Sequence, residues 1–301
     1  MFKHILVPLD GSQMAESALP AASFLADNLG AMVTLVHVIE KNAPKEIHGQ
    51  PHLRNSEEAA EYLKDAALRA FPEKLHVDCH VHSAEVKNVA KSIVAHSGEL
   101  SHDLIVMSSH GSGRAHHLFL GSIAQKVIAL GKIPVLVTHP HEKGERREFF
   151  CKDILVPLDG NPEHAQALIV MKEMAKAFGA TLHLVVVIPG FGTLSGQMNV
   201  TSRYLPGTIS TILEMSVQNA EEYLSSQLEE LKSQGIAATA HVERGDPAKV
   251  IVSFAYELDV GLITLATHGK SGMEAFWAGS VTHKVCSQCK IPLLLIPIHS
   301  T

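Results

Sequence analysis

The chain repeats itself. FKHILVPLDGS, from Phe2 to Ser12, returns as CKDILVPLDGN, from Cys151 to Asn161, and IPVLVTHP, from Ile133 to Pro140, returns as IPLLLIPI, from Ile291 to Ile298. The opening motifs lie 149 residues apart, from Asp10 to Asp159, whereas the closing ones lie 158 apart. The second copy has therefore gained nine residues, which we place around the glycine-rich stretch Gly190 to Pro206. A repeat of this length is too long for a solenoid and reads as a duplicated domain. We expect one domain over 1–140, a polar linker over 141–150 (HEKGERREFF), and a second domain over 151–301.

Each copy alternates strand with helix. In the first, short β-branched apolar runs predict strands at Ile5–Leu9, Val33–Ile39, Val77–Val81, Leu104–Ser108 and Val135–Val137. Such runs suit strands buried on both faces. Helical stretches lie between them at Gln13–Asn28, Glu57–Arg69, Val86–Ala95 and Ile123–Leu130, with Ser12 and Ser56 as N-caps and Gly30 as a C-cap. The second copy follows the same plan, with a longer helix from Thr208 to Ser233. The alternation implies an α/β fold: two doubly wound, parallel, five-stranded Rossmann-like sheets in tandem. With 46% hydrophobic and 19% charged residues, each copy can bury a core. In such sheets ligands bind beyond the carboxyl ends of the strands, where the strand order reverses. Asp10 and Asp159 close the first strands of the two copies, and a glycine loop follows each fourth strand.

Those loops read SSHGSGRAHHLFLGS, from Ser108 to Ser122, and ATHGKSGMEAFWAGS, from Ala266 to Ser280. Each holds a glycine (Gly111, Gly269), nine residues, then Gly-Ser (Gly121-Ser122, Gly279-Ser280) opening a helix. Free N–H groups at a helix start attract an anion, and glycine removes the Cβ that would hold a phosphate away. A carboxylate such as Asp10 suits a ribose hydroxyl or an adenine amino group. The alternative reading is a pair of tight turns copied as scaffold.

VPLDGS and VPLDGN at the starts, VERGDPAKVI from Val242 to Ile251, DVGLITLATHGKSG from Asp259 to Gly272 and the Gly-Ser helix openings together make the chain resemble a tandem universal stress protein. The two UspA-type domains, of the nucleotide-binding branch, cover essentially the whole chain, and the resemblance implies an adenine nucleotide alpha-hydrolase-like fold. That branch has a loop of the form G-x2-G-x9-G-[ST]; here Ser108 and Ala266 stand in place of its leading glycine. By position, the resemblance implies that Pro8, Asp10, Val38, Ser108, His110, Gly111, Gly121, Ser122 and Ile123 line a nucleotide site in the first copy. Pro157, Asp159, Val187, Ala266, His268, Gly269, Gly279, Ser280 and Val281 would do so in the second. It further implies ATP or a related adenine nucleotide as ligand, Mg²⁺ between the phosphates, a regulatory role in the stress response, and pairing through the last strands. In a tandem chain that pairing is expected inside one molecule, with Val135–Val137 antiparallel to Leu293–Ile296; a homodimer is a further assembly of the same kind. The second copy, with Gly245-Asp246-Pro247 and Lys270 where the first has His82-Ser83-Ala84-Glu85 and Ser112, is expected to be the tighter site.

Competing readings are a slow Mg²⁺-dependent ATPase with His110 or His268 as base, and a scaffold acting through an unknown protein partner. Neither a nucleophile elbow nor a P-loop is present, so rapid phosphoryl transfer lacks its usual parts. His76, Asp78, His80 and His82 alternate along one strand and read first as the polar side of a sheet edge rather than a metal face. Cys286 and Cys289 have metal-like spacing but read as helix packing, since no second ligand pair follows. A net charge of −6 without a basic stripe gives no support for nucleic-acid binding. The apolar runs are strand-length, and the first residues enter a strand pattern directly, so we expect no membrane span, no signal peptide and a cytoplasmic location.

Overall fold

The computed structural model describes residues 1–41, 46–47, 50–51, 53, 55–109, 120–140, 148–160, 166–194, 196–268 and 280–298. The first half contains β1 (His4–Pro8), α1 (Gln13–Glu16), α2 (Leu19–Leu29), β2 (Met32–Glu40) and a small ladder of β3 (Glu46–Ile47) with β4 (Gln50–Pro51). It continues with α3 (Ser56–Ala70), β5 (Val77–Val86), α4 (Val89–Glu99), β6 (Leu104–Ser108), α5 (Ser122–Leu130) and β7 (Val135–Thr138). The second half contains β8 (Asp153–Leu158), α6 (Gln166–Phe178), β9 (Thr181–Ile188), a 3₁₀ turn at Phe191–Thr193, α7 (Gly196–Tyr204) and α8 (Pro206–Ser233). It ends with β10 (Ala238–Arg244), α9 (Pro247–Glu257), β11 (Leu262–His268), α10 (Val281–Gln288) and β12 (Leu293–Ile298).

The two five-stranded sheets join into one ten-stranded sheet, ordered β10-β9-β8-β11-β12-β7-β6-β1-β2-β5. Pairing within each half is parallel, and the seam between halves is antiparallel, with Leu293 opposite Val137, Leu294 opposite Leu136 and Leu295 opposite Val135. The expected internal pairing of the last strands is therefore present. Joining there leaves both closing strands paired on each side, so neither presents an unsatisfied edge. One core face runs through both halves, from Leu25 and Leu63 to Met171 and Leu224, and the aromatic trio Phe24, Phe149 and Phe178 bridges α2 to α6. The other face is covered by α4, α5, α9 and α10.

Several boundaries differ from the sequence reading, each for a local reason. The helix expected over Gln13–Asn28 is broken at Ser17 and Ala18, because Pro20 begins a new helix, α2, and cannot donate within an old one. Ser12 does cap α1, its hydroxyl accepting from the Ala15 N–H at 3.1 Å, and Gly30 closes α2 at φ 63°. Asn55 rather than Ser56 caps α3, accepting from the Glu58 N–H at 2.8 Å. β5 runs on to Val86, where a helix start was expected, and α4 begins only after its cap Asn88. This aligns Asn88 with Asp246, which caps α9 in the same way. Gly245-Asp246-Pro247 thus matches Lys87-Asn88-Val89, not His82 to Glu85. The segment that carries the nine added residues forms the 3₁₀ turn, α7 and the forward extension of α8; Leu194, Ile209 and Leu213 anchor it, while α7 has no buried residue.

Candidate functional site

Strand order reverses between β1 and β6 in the first half and between β8 and β11 in the second. At the first of these points a cleft of about 520 Å³ opens beyond the carboxyl ends of β1, β2 and β6. That volume lies within the range of small-molecule sites. Its floor is apolar, built from Val36, Val38, Ala90, Ile93 and Met107. Its walls are polar: Asp10 on one side, and the start of α5 with Gly121 and Ser122 on the other.

The first wall is braced by short-range bonds. The Leu9 N–H donates to the Val36 carbonyl at 2.9 Å, and the buried His37 Nδ1 meets the Leu9 carbonyl at 2.8 Å. The two strand ends are thereby held together at the lip. The chain then turns at Gly11, with φ 89°, as the second half does at Gly160, with φ 76°. An L side chain resists that conformation, which explains the Asp-Gly after each first strand. The Asp10 carboxylate accepts from the Ser12 N–H at 3.0 Å and from its hydroxyl at 2.6 Å, and these bonds orient it at the mouth.

The second wall is the helix start. Gly121 is the N-cap of α5 and supplies no side-chain bond to the first turn. Its own N–H donates to the Ser109 carbonyl at 2.7 Å, and the Ser109 N–H donates to the Thr138 carbonyl at 2.7 Å. The turn is thus pinned to β7, and the next N–H groups, those of Ser122, Ile123 and Ala124, belong to the uncapped turn. Ser122 and Ile123 are exposed. Ser108 lines the cleft but is buried, and its hydroxyl accepts from Ser17 at 3.1 Å, tying β6 to the end of α1.

Of the residues expected in the first site, Pro8, Asp10, Val38, Ser108, Gly121, Ser122 and Ile123 all line this one cleft. His110 and Gly111 lie outside the described residues. In the second half, Pro157 and Asp159 end β8, Val187 lies near the end of β9, and Ala266 and His268 end β11. Ser280 and Val281 begin α10. Gly269, Gly279 and Lys270 lie outside the described residues. The halves differ at the helix start, since Ser280 is itself the cap and its hydroxyl accepts from the His283 N–H at 3.1 Å.

Sequence reasoning missed two cations, Lys87 before α4 and Lys126 within α5, both lining the first cleft. Lys126 lies four residues beyond Ser122 and so shares its helix face. The misplaced start of α4 hid Lys87. The Asn88 capping signal, three residues before Lys91, was the available clue.

The other singled-out clusters lie elsewhere. His82 and His96 are 2.8 Å apart through Nδ1 and Nε2, and the rings of His80 and His96 meet edge to face. Among the described residues no group of three or more histidine, cysteine or acidic side chains could hold a metal ion. Cys286 and Cys289 are buried, and burial pushes the Cys286 thiol up to about 12. No helix among the described residues is long and apolar enough to cross a membrane.

Comparison with known proteins matches this architecture in sequence and in shape. The chain is 24% identical to a universal stress protein of Mycolicibacterium smegmatis over 306 residues, covering 97% of this chain and 96% of that one. Over 143 residues it is 36% identical to a universal stress protein of Thermus aquaticus, covering 46% of this chain and 98% of that relative. A crystal structure of a universal stress protein from Archaeoglobus fulgidus shares the fold with a TM-score of 0.67 at 19% identity, covering 99% of this chain and 97% of its own. The model of the universal stress protein family matches twice, at residues 1–139 and 151–297, and the chain belongs to that family as a tandem member.

Proposed function

We propose that this protein binds ATP or a related adenine nucleotide in one or both halves, and that binding regulates its action in the stress response. The supporting observation is the first cleft. It joins an apolar floor, a carboxylate at the mouth and an uncapped helix start at the point where strand order reverses. The floor over Val38 and Met107 suits an adenine ring, with backbone groups at the end of β2 reading its edge. Asp10 suits the ribose hydroxyls, since a carboxylate accepts two hydrogen bonds and repels phosphate. The N–H groups of Ser122 and Ile123 and the Ser122 hydroxyl suit the phosphates, where the α5 dipole is positive. Asp159, Val187, Ser280 and Val281 would take the corresponding parts in the second half. Mg²⁺ would ride on the phosphates and water, as that ion prefers, rather than in a protein cage. The halves act as two domains, 1–140 and 151–301, joined through 141–150. A ligand touching separate segments favours the arrangement that brings them together, which gives binding a route to a partner surface.

Titration calorimetry with ATP and Mg²⁺ tests the reading. The unmodified chain should bind, and Gly121→Val, which crowds the helix start, should remove binding in the first half. A folded parent chain that binds no adenine nucleotide would sink the proposal.

A further inference from the structure

The two halves place the same lysine in different electrostatic company. Lys126 in α5 and Lys284 in α10 occupy equivalent positions, each four residues past the serine of its Gly-Ser pair. In the second half the Lys284 ammonium lies 3.8 Å from Asp246 Oδ2, the cap of α9. In the first half the equivalent cap is Asn88, which also bonds its helix start, to the Lys91 N–H at 3.1 Å, but carries no charge. Among the described residues no ion pair joins Lys126 to a carboxylate, and Lys87 adds a second cation where the second half has Gly245; Asp10 and Glu40 are the carboxylates of the same lining.

An exposed ion pair contributes little to stability. It still cancels the field that a ligand meets, because an anion approaching Lys284 meets Asp246 as well. We propose that the first cleft selects nucleoside polyphosphates through Lys126 and Lys87, and that the second-half site responds less to phosphate number because Asp246 offsets the charge of Lys284 there. Asn88 is the determinant: it keeps the cap and omits the charge. This rests on the nucleotide reading above. It replaces the ranking of the halves by tightness with a division by ligand charge. A cell's ratio of triphosphate to monophosphate would then set the occupancy of one half more than the other.

The two caps can be exchanged without disturbing the helices, because asparagine and aspartate cap about equally well. The full chain, with Asn88→Asp, Lys126→Met and Asp246→Asn variants, is titrated with ATP and with adenosine. Photo-crosslinking with azido-adenine forms of both assigns each site to a half. Unchanged thermal midpoints verify that the caps hold. Asn88→Asp and Lys126→Met should each weaken ATP at the first-half site by roughly fivefold to tenfold, with adenosine changed less than about twofold. Asp246→Asn should strengthen ATP at the second-half site by a similar factor. ATP binding with an unchanged ATP-to-adenosine ratio in Asn88→Asp and Lys126→Met would overturn the charge selection while leaving the nucleotide reading intact. Failure of the parent chain to bind either ligand would overturn both.

Discussion

His102 shows what a single buried side chain contributes to the behaviour of the molecule. It is 4% exposed and stacked on His4 with ring centres 3.9 Å apart. Burial first, and then the neighbouring His4, lowers its pKa from 6.5 to about 4. The unfolded chain therefore binds the proton that the native chain refuses. The resulting stability is fully present above about pH 6.5 and is lost as pH falls toward about 4. Between pH 7.5 and pH 5 this amounts to roughly 2 kcal/mol. His102→Leu, which keeps the packing and removes the titration, should reduce the loss of urea stability across that interval by this amount. An unchanged pH dependence would show that His102 titrates normally. The cysteines give a second residue-scale prediction. Cys151, Cys286 and Cys289 are buried with raised pKa values, whereas Cys79 is exposed. A thiol reagent should titrate Cys79 alone in the native protein, and all four thiols after unfolding. Fast native reaction of Cys286 or Cys289 would contradict their burial.

At the scale of elements, the central strands were legible because burial on both faces leaves mostly apolar residues in them, many of them β-branched. β6 was read without error, and β1 and β2 to within a residue at either end. The edge strand β5 was not, since only one side of it is covered and its polar stretch through Ser83 to Glu85 resembles the approach to a helix. That shift concealed Lys87 and Asn88, the residues on which the charge difference between the halves depends. Pro20 was visible in the sequence, and it marks the break between α1 and α2. The site residues contributed by motifs were found together because duplication displayed each motif twice. The lysines belong to no motif and became visible only once the helices were placed. The turn after each first strand supplies a test. Gly11→Ala and Gly160→Ala should each cost about 1–2 kcal/mol for the left-handed conformation. Gly11→Ala should cost more, because its Cβ would come within 2.9 Å of Leu53, whereas a Cβ at Gly160 would meet none of the described residues within 4 Å. Denaturant unfolding of the two variants measures the difference, and equal losses would mean that Leu53 yields freely.

The whole molecule is two copies of one plan fused along a seam, with one core face crossing it. Leu136 and Leu294 oppose each other there, and each is 1% exposed. A carboxylate at Leu294 would lie buried between two strands without a partner. Leu294→Asp should therefore lower the stability of both halves together by more than about 3 kcal/mol, read as one shared drop in the unfolding midpoint. Two transitions, with only the second half displaced, would show that the halves unfold independently. Fusion also gives each half freedom to diverge while the partner keeps the architecture, and the Asn88 and Asp246 caps are one outcome of that divergence. The central claim is that an adenine nucleotide occupies the first cleft. Hydrogen–deuterium exchange with and without ATP and Mg²⁺ tests it on the intact chain. The account predicts slower exchange over the end of β2, the end of β6 and the first turn of α5, around residues 36–40, 107–109 and 121–126. Saturating ATP that leaves all three segments unprotected would contradict it.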